Sequence, residues 1–263
     1  MRPFLTVLRL LIHVVGAVLT TTLLYPFMND SKRNDYVRKW SKKLLDICHV
    51  SVKVNNLQLL SDRALIVSNH ISWLDIFLIY SVTHGHFIAK ADMANWPMIG
   101  LLARKAGTLF LERSNVRQLK NTLETLVKKL KARERVIFFP EGTTSKQGAM
   151  LPFHPNLFEG AIHTGLPVQP FALKYVNRQG EYEEAVDSHG DITFGQSVAS
   201  IIRQDYIRAE LTILPAINAI GMHRKTLSVM ARKTIISVLS ANPAQENRDM
   251  PPETRHGLQD GRP

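Results

Sequence analysis

Beyond Val50 the chain alternates short apolar runs with helical segments, and this order constrains its fold more than any other feature. Six runs read as strands: Val52–Val54, Ala64–Val67, Thr108–Leu111, Val136–Phe139, Phe171–Tyr175 and Ala209–Leu214. A helix is predicted between Leu111 and Val136. Ser114 can cap it, and Val116, Leu119, Leu123, Leu126 and Leu130 recur at helical spacing. A second helix is predicted from Thr226 to Leu239, and a third over "NWPMIGLLARKAG", with Pro97 in its first turn. Alternation of this kind implies an α/β fold with a mostly parallel central sheet flanked by helices. In such sheets functional groups gather at strand ends.

The first 48 residues read differently. "LLIHVVGAVLTTTLLYPFM", Leu10 to Met28, contains one residue able to charge near neutral pH, His13. As a helix it would be about 28 Å long, close to a hydrocarbon core. A cleaved signal peptide is the competing reading, with Arg2 and Arg9 as its basic region. No small-x-small cleavage site follows, which favours a retained anchor, spanning or re-entrant. Lys32, Arg33, Arg38, Lys39, Lys42 and Lys43 come directly after it. The positive-inside rule then places the following domain on the cytoplasmic side of the inner membrane. "YVRKWSKKLLDICHV" also carries an apolar helical stripe of Val37, Trp40, Leu44 and Ile47. It fits an anionic lipid surface or the cover of a core equally well. The expected organisation is an anchor with a basic amphipathic helix over 1–48, a catalytic domain over 49–240, and a polar, proline-rich disordered tail over 241–263.

Composition narrows the partners. The 263 residues include 33 Lys+Arg against 22 Asp+Glu, formally +11, so an anionic partner is expected. No nucleic-acid motif is present, and the cations crowd beside the anchor, where a bilayer explains them better than DNA does. One cysteine, Cys48, excludes an internal disulfide. His84 and His86 lack a third ligand at matching spacing, so no metal site is expected and "THGHF" reads as a surface loop. There is no glycine-rich phosphate loop and no Gly-x-Ser-x-Gly nucleophile elbow. A basic, non-catalytic membrane-anchored binding module remains a second class of reading.

The chemistry concentrates in four stretches. In "SNHISWLDIF", His70 and Asp75 are five residues apart. On one helix they would face roughly 140° apart. With the helix starting after His70, at Ser72 as N-cap, the two side chains can converge. A carboxylate on one imidazole nitrogen fixes the tautomer and leaves the other to take a proton from a hydroxyl. Ser72-x-x-Asp75 also resembles a capping box, and the residues alone leave capping and catalysis comparable. "GTLFLERSN" ends a strand in Glu112-Arg113, where an arginine fork can meet a phosphate or pair with Glu112. "VIFFPEGTTS" runs from a strand into a turn at Gly142 whose amides can bind anionic oxygen, with Glu141 placed to bind a hydroxyl or stay solvated. In "GLPVQPFAL", Pro167 and Pro170 argue against a regular central strand before Phe171.

Taken in order, "NHISWLD", "GTLFLER", "FPEGTTS" and "LPVQP" resemble the four blocks of the glycerolipid acyltransferases, the family of 1-acylglycerol-3-phosphate acyltransferases with a His-x4-Asp signature. The resemblance covers roughly residues 50 to 215. It implies acyl transfer from acyl-CoA or acyl carrier protein to the free hydroxyl of a lysophospholipid, with no cofactor and no covalent acyl-enzyme. It further implies His70 as base and Asp75 as its orienter. Lys90, Gly107, Arg113, Glu141, Gly142 and Thr143 would be acceptor-binding positions, with Lys90 and Arg113 facing phosphate. Phosphatidate-making members commonly have arginine where Thr144 stands, while acyltransferases for other lysolipids, including lyso-ornithine lipid, carry a small residue there. Gln169 is a smaller departure, polar within an apolar block.

Overall fold

The structure, a computed structural model, describes residues 2–112 and 116–240. The expected cap Ser114, the candidate Arg113 and the tail 241–263 lie outside the described residues.

Helix α1 spans Arg2–Leu23 and is followed by a 3-10 turn over Tyr25–Phe27. It starts earlier than the Leu10–Met28 stretch suggests. It also ends earlier, because Pro26 lacks an amide hydrogen and its ring would clash with the preceding helical turn. Asn29 then caps α2, Asp30–Ile47, by accepting from the Lys32 amide at 2.9 Å. The two helices form an antiparallel hairpin. The Arg33 guanidinium donates to the Tyr25 carbonyl beside the turn, and further along His13 stacks on Trp40 at 4.7 Å.

Seven strands follow: β1 Val50–Asn55, β2 Leu65–Ser68, β3 His86–Lys90, β4 Leu109–Leu111, β5 Val136–Phe138, β6 Val168–Val176 and β7 Ile207–Ile213. Their order in the sheet is β1-β7-β6-β2-β5-β3-β4, and every pairing is parallel except β6 with β7. The helices between them are α3 Leu74–Val82, α4 Ile99–Lys105, α5 Val116–Lys131, α6 Glu159–Thr164, α7 Phe194–Arg203 and α8 Arg224–Ser240.

Both sheet faces are covered. Ile66, Ile137, Phe171, Leu173 and Tyr175 point into a core shared with α2, α3 and α7. Leu65, Val67, Val136, Phe138 and Ala172 point into another shared with α5, α6 and α8. A parallel sheet buried on both sides needs near-continuous apolar strands, which the four fully buried residues of β2 supply. The strands β2, β5, β3 and β4 run parallel, so Ser68, Phe138, Lys90 and Leu111 share one edge.

Three sequence expectations need correction. Of "THGHF", read as a surface loop, His86 and Phe87 instead open strand β3. Its apolar core is short, and His86 is half-buried because both ring nitrogens bind neighbours, the Gly107 carbonyl and Glu134. Pro170 lies inside β6, a central strand. It is tolerated because the last β6–β7 pair is Phe171 with Ile213, and at Pro170 itself only the carbonyl is needed, accepting from the Leu214 amide at 3.0 Å. Pro97 precedes α4 rather than opening it, since Met98 breaks the helix with φ of 59°. Gln169 is fully buried and satisfied. Its side chain accepts from Ser61 N at 2.8 Å and donates to the Leu59 carbonyl at 2.6 Å, tying the β1–β2 connection to β6.

Candidate active site

The site forms where β2 ends. Ser68 donates its hydroxyl to the Phe171 carbonyl at 3.0 Å. The Asn69 side chain then replaces one rung of the ladder, donating to the Leu173 carbonyl at 2.9 Å and accepting from the Leu173 amide at 2.8 Å. His70 is the next residue, and its backbone is held at both ends. Its amide donates to Glu141 Oε1 and its carbonyl accepts from the Ser145 amide, each at 2.8 Å. The chain therefore turns toward α3 with the imidazole fixed at the strand edge.

The structure brings His70 and Asp75 together. Asp75 Oδ2 lies 2.8 Å from His70 Nδ1 and also accepts from the amides of Ile71 at 2.7 Å and Ser72 at 3.0 Å. Asp75 Oδ1 accepts from the Tyr175 hydroxyl at 2.7 Å. The carboxylate is wholly buried, whereas the His70 side chain keeps 18 % of its surface exposed. A carboxylate can only accept, so Nδ1 carries the hydrogen, and in the neutral ring that assignment leaves Nε2 as the accepting nitrogen. Among the described residues Nε2 has no hydrogen bond. Phe139 stacks flat on the imidazole, centroids 3.9 Å apart and planes within 6°. The ring is thus fixed by an orienting acceptor on one side and an apolar plate on one face.

The helix starts one residue later than expected: Trp73, not Ser72, is the N-cap of α3, and no side chain caps it. Asp75, in the first turn, still accepts from the Ser72 amide through the same oxygen that meets His70, so it ties down the turn before the helix as well as the imidazole. A helix N-terminus also favours a negative group there.

The other candidates divide by position. Glu141 is buried, with Oε1 on the His70 amide and Oε2 on the Leu151 amide at 2.8 Å. Burial pushes its carboxyl above the usual range, and contacts from Ser145, Leu151 and His70 pull it part of the way back. Gly142 adopts φ of 78° and its amide closes the turn onto the Phe139 carbonyl at 3.1 Å, leaving Thr143 exposed. Thr144 donates its hydroxyl to the Ser188 carbonyl, and the Ser188 amide donates to the Ile71 carbonyl at 3.2 Å. Lys90 is exposed at the end of β3, on the edge where β2 ends. Gly107 stands at the opposite edge, two residues before β4, and so is not brought near His70. Its glycine is required there by a φ of 78° and by His86, whose Nδ1 would lie 2.5 Å from any Cβ. Among the described residues no group of three or more His, Cys, Asp or Glu is placed to hold a metal ion.

Two site residues escape sequence reading. Phe139 ends the apolar run before Pro140 and reads as core. Tyr175 is a hundred positions from Asp75, and nothing local marks its hydroxyl as a site group.

Comparison with known proteins bears on this geometry. A family model described as Acyltransferase matches residues 51–174. The 1-acyl-sn-glycerol-3-phosphate acyltransferase of Neisseria gonorrhoeae is 37% identical over 128 residues, 49% of this chain and 50% of that one, so the match spans half the relative's length. The lyso-ornithine lipid O-acyltransferase of Pseudomonas aeruginosa is 31% identical over 219 residues, 82% of this chain and 83% of that one. Its counterpart from Rhizobium meliloti is 28% identical over 246 residues, 88% and 84%. The crystal structure of the 1-acyl-sn-glycerophosphate acyltransferase PlsC from Thermotoga maritima shares the fold, with a TM-score of 0.63, 23% identity, and coverage of 92% of this chain and 99% of that one.

Proposed function

This chain belongs to the glycerolipid acyltransferase family, and from that premise we propose that it moves an acyl group from a thioester to the hydroxyl of a lysolipid. The observation that carries the proposal is the His70–Asp75 pair, bonded through Nδ1 with Nε2 left for a substrate. His70 Nε2 takes the proton of the acceptor hydroxyl as that oxygen attacks the thioester carbonyl. Asp75 steadies the imidazolium that forms. The tetrahedral intermediate collapses, the carbon–sulfur bond breaks, and the leaving thiolate takes the proton back from Nε2. The ester forms with no acyl group passing through the protein.

In this reading Glu141 is a positioning residue, holding the His70 amide rather than the acceptor. Lys90 and Arg113 supply positive charge to an anionic head group, and the turn at Gly142 and Thr143 borders it. The donor is acyl-CoA or acyl carrier protein. Residues 1–48 serve as membrane anchor and 49–240 as catalytic domain. The outward face of α1 exposes Phe4, Leu8, Leu11, Ile12, Val15 and Leu19, while its inner face carries Thr6, His13, Ala17 and Thr21 against the domain. A helix covered along one side by the basic α2 suits insertion into the cytoplasmic leaflet of the inner membrane better than a crossing of it.

The first acceptor is 1-acyl-sn-glycerol-3-phosphate. A second, lyso-ornithine lipid, is favoured by two observations. Thr144 replaces the arginine common in phosphatidate-making members and spends its hydroxyl on Ser188. Two relatives named lyso-ornithine lipid O-acyltransferase, those of Pseudomonas aeruginosa and Rhizobium meliloti, match over more than four fifths of their length, 83% and 84%. Purified enzyme assayed with both acceptors and both donors decides the matter. Turnover of either lysolipid supports the reading. Binding of lipid without turnover of any donor would return the chain to the class of non-catalytic modules.

A further inference from the structure

The four hydrogen bonds to Asp75 are divided unevenly. Oδ2 serves His70, Ile71 and Ser72, while the Tyr175 hydroxyl serves Oδ1. Tyr175 is wholly buried on β6, its amide donates to Gln147 Oε1 at 2.8 Å, and it pairs with Ala209 of β7. The phenol is therefore placed by a central strand rather than by its own flexibility. A phenylalanine would fill the same space without burying a hydroxyl, which is costly unless that hydroxyl is bonded. Burial, and after it the charge of Asp75, push the phenol's pKa well up, so it stays a donor at every pH where the enzyme would work.

We propose that Tyr175 is a positioning residue for the catalytic base, acting through Asp75. Its hydroxyl fixes the rotation of the carboxylate so that Oδ2 faces His70 Nδ1. It also takes up part of the carboxylate's charge, leaving the imidazolium less stabilised than Asp75 alone would make it. The catalytic part of this inference rests on the acyl-transfer reading above, while the hydrogen-bond coupling can be measured without it.

The test is Tyr175→Phe in the full chain, with acyl-CoA and a lysolipid that the wild type accepts. Loss of one hydrogen bond to a charged group should lower kcat about tenfold to a hundredfold. Both KM values should be unchanged. The acid limb of the kcat/KM profile should move to higher pH, because the freed charge on Oδ1 now favours the imidazolium. The proton resonance of His70 Nδ1–H should shift as well. Replacing the same residue by 3-fluorotyrosine, a stronger donor of similar size, should move the acid limb to lower pH, and it serves if the phenylalanine variant does not fold. A tyrosine that only fills space would lower the melting temperature and leave kcat, the acid limb and the resonance unmoved, and that result overturns the proposal. If the wild type transfers no acyl group, the functional reading falls, and the Nδ1–H resonance alone decides the coupling: a shift upholds it and an unmoved signal ends it.

Discussion

At the scale of single residues, Asp75 does two jobs that the sequence presents as rivals. "NHISWLD" makes both legible, because a strand followed by a helix puts His70 before the first turn and Asp75 within it. What the stretch cannot carry is the far side of the carboxylate. Tyr175 and Phe139 reach the pair from other strands, and contacts across a sheet leave no local pattern. Asp75→Asn should cut kcat by about 10²–10⁴-fold, since the amide cannot hold the same tautomer or balance the imidazolium. Steady-state kinetics would check this, with acceptor KM unchanged. A rate equal to wild type would leave Asp75 only to tie down the turn before α3. Glu141→Gln should also slow turnover, because one of the two backbone amides it holds would face a donor.

Among the elements, α5, α8 and six of the seven strands are legible from spacing, whereas β3, α6 and α7 are not. The ends of β3 are His86 and Lys90, and its place in the sheet is secured by pairing with β4 and β5 rather than by a long apolar run. The same histidine explains Gly107. Together His86, Gly107, Glu134 and Lys129 clamp the edge of the sheet remote from the site. Gly107→Ala forces a positive φ and a clash, and should cost about 1–3 kcal/mol of stability. Thermal melting checks it, and the acceptor KM of the surviving enzyme should equal the wild type's. Burial alone would raise the Glu134 carboxyl, but His86 and Lys129 hold it below its ordinary value. A carboxyl lowered in the fold stabilises fully above its unfolded pKa, about 4.3, and loses that contribution as pH falls through the folded value. Melting temperature should therefore drop more steeply on acidification below about pH 4 in the wild type than in Glu134→Gln.

For the molecule as a whole, the surplus of +11 and the apolar α1 point the same way. The cations of α2 lie beside the helix that would enter lipid, so attraction and insertion act at one surface. Length and apolarity make a long apolar N-terminal helix legible in the sequence, and Pro3–Leu23 is long and apolar enough to cross a membrane. The hairpin that covers one side of α1 is not legible, because its pairing of His13 with Trp40 joins residues 27 positions apart. Leu11→Asp with Val15→Asp should abolish flotation with anionic vesicles, whereas added salt should weaken wild-type binding only in part. All of this serves one claim, that His70 is the base of an acyl transfer at a lipid surface. The most direct measurement is thioester turnover by purified His70→Ala in vesicles containing lysolipid, beside wild type and with circular dichroism to confirm the fold. Turnover should fall by about 10²–10⁴-fold with the spectrum unchanged. A folded His70→Ala protein that turns over at the wild-type rate would contradict the claim.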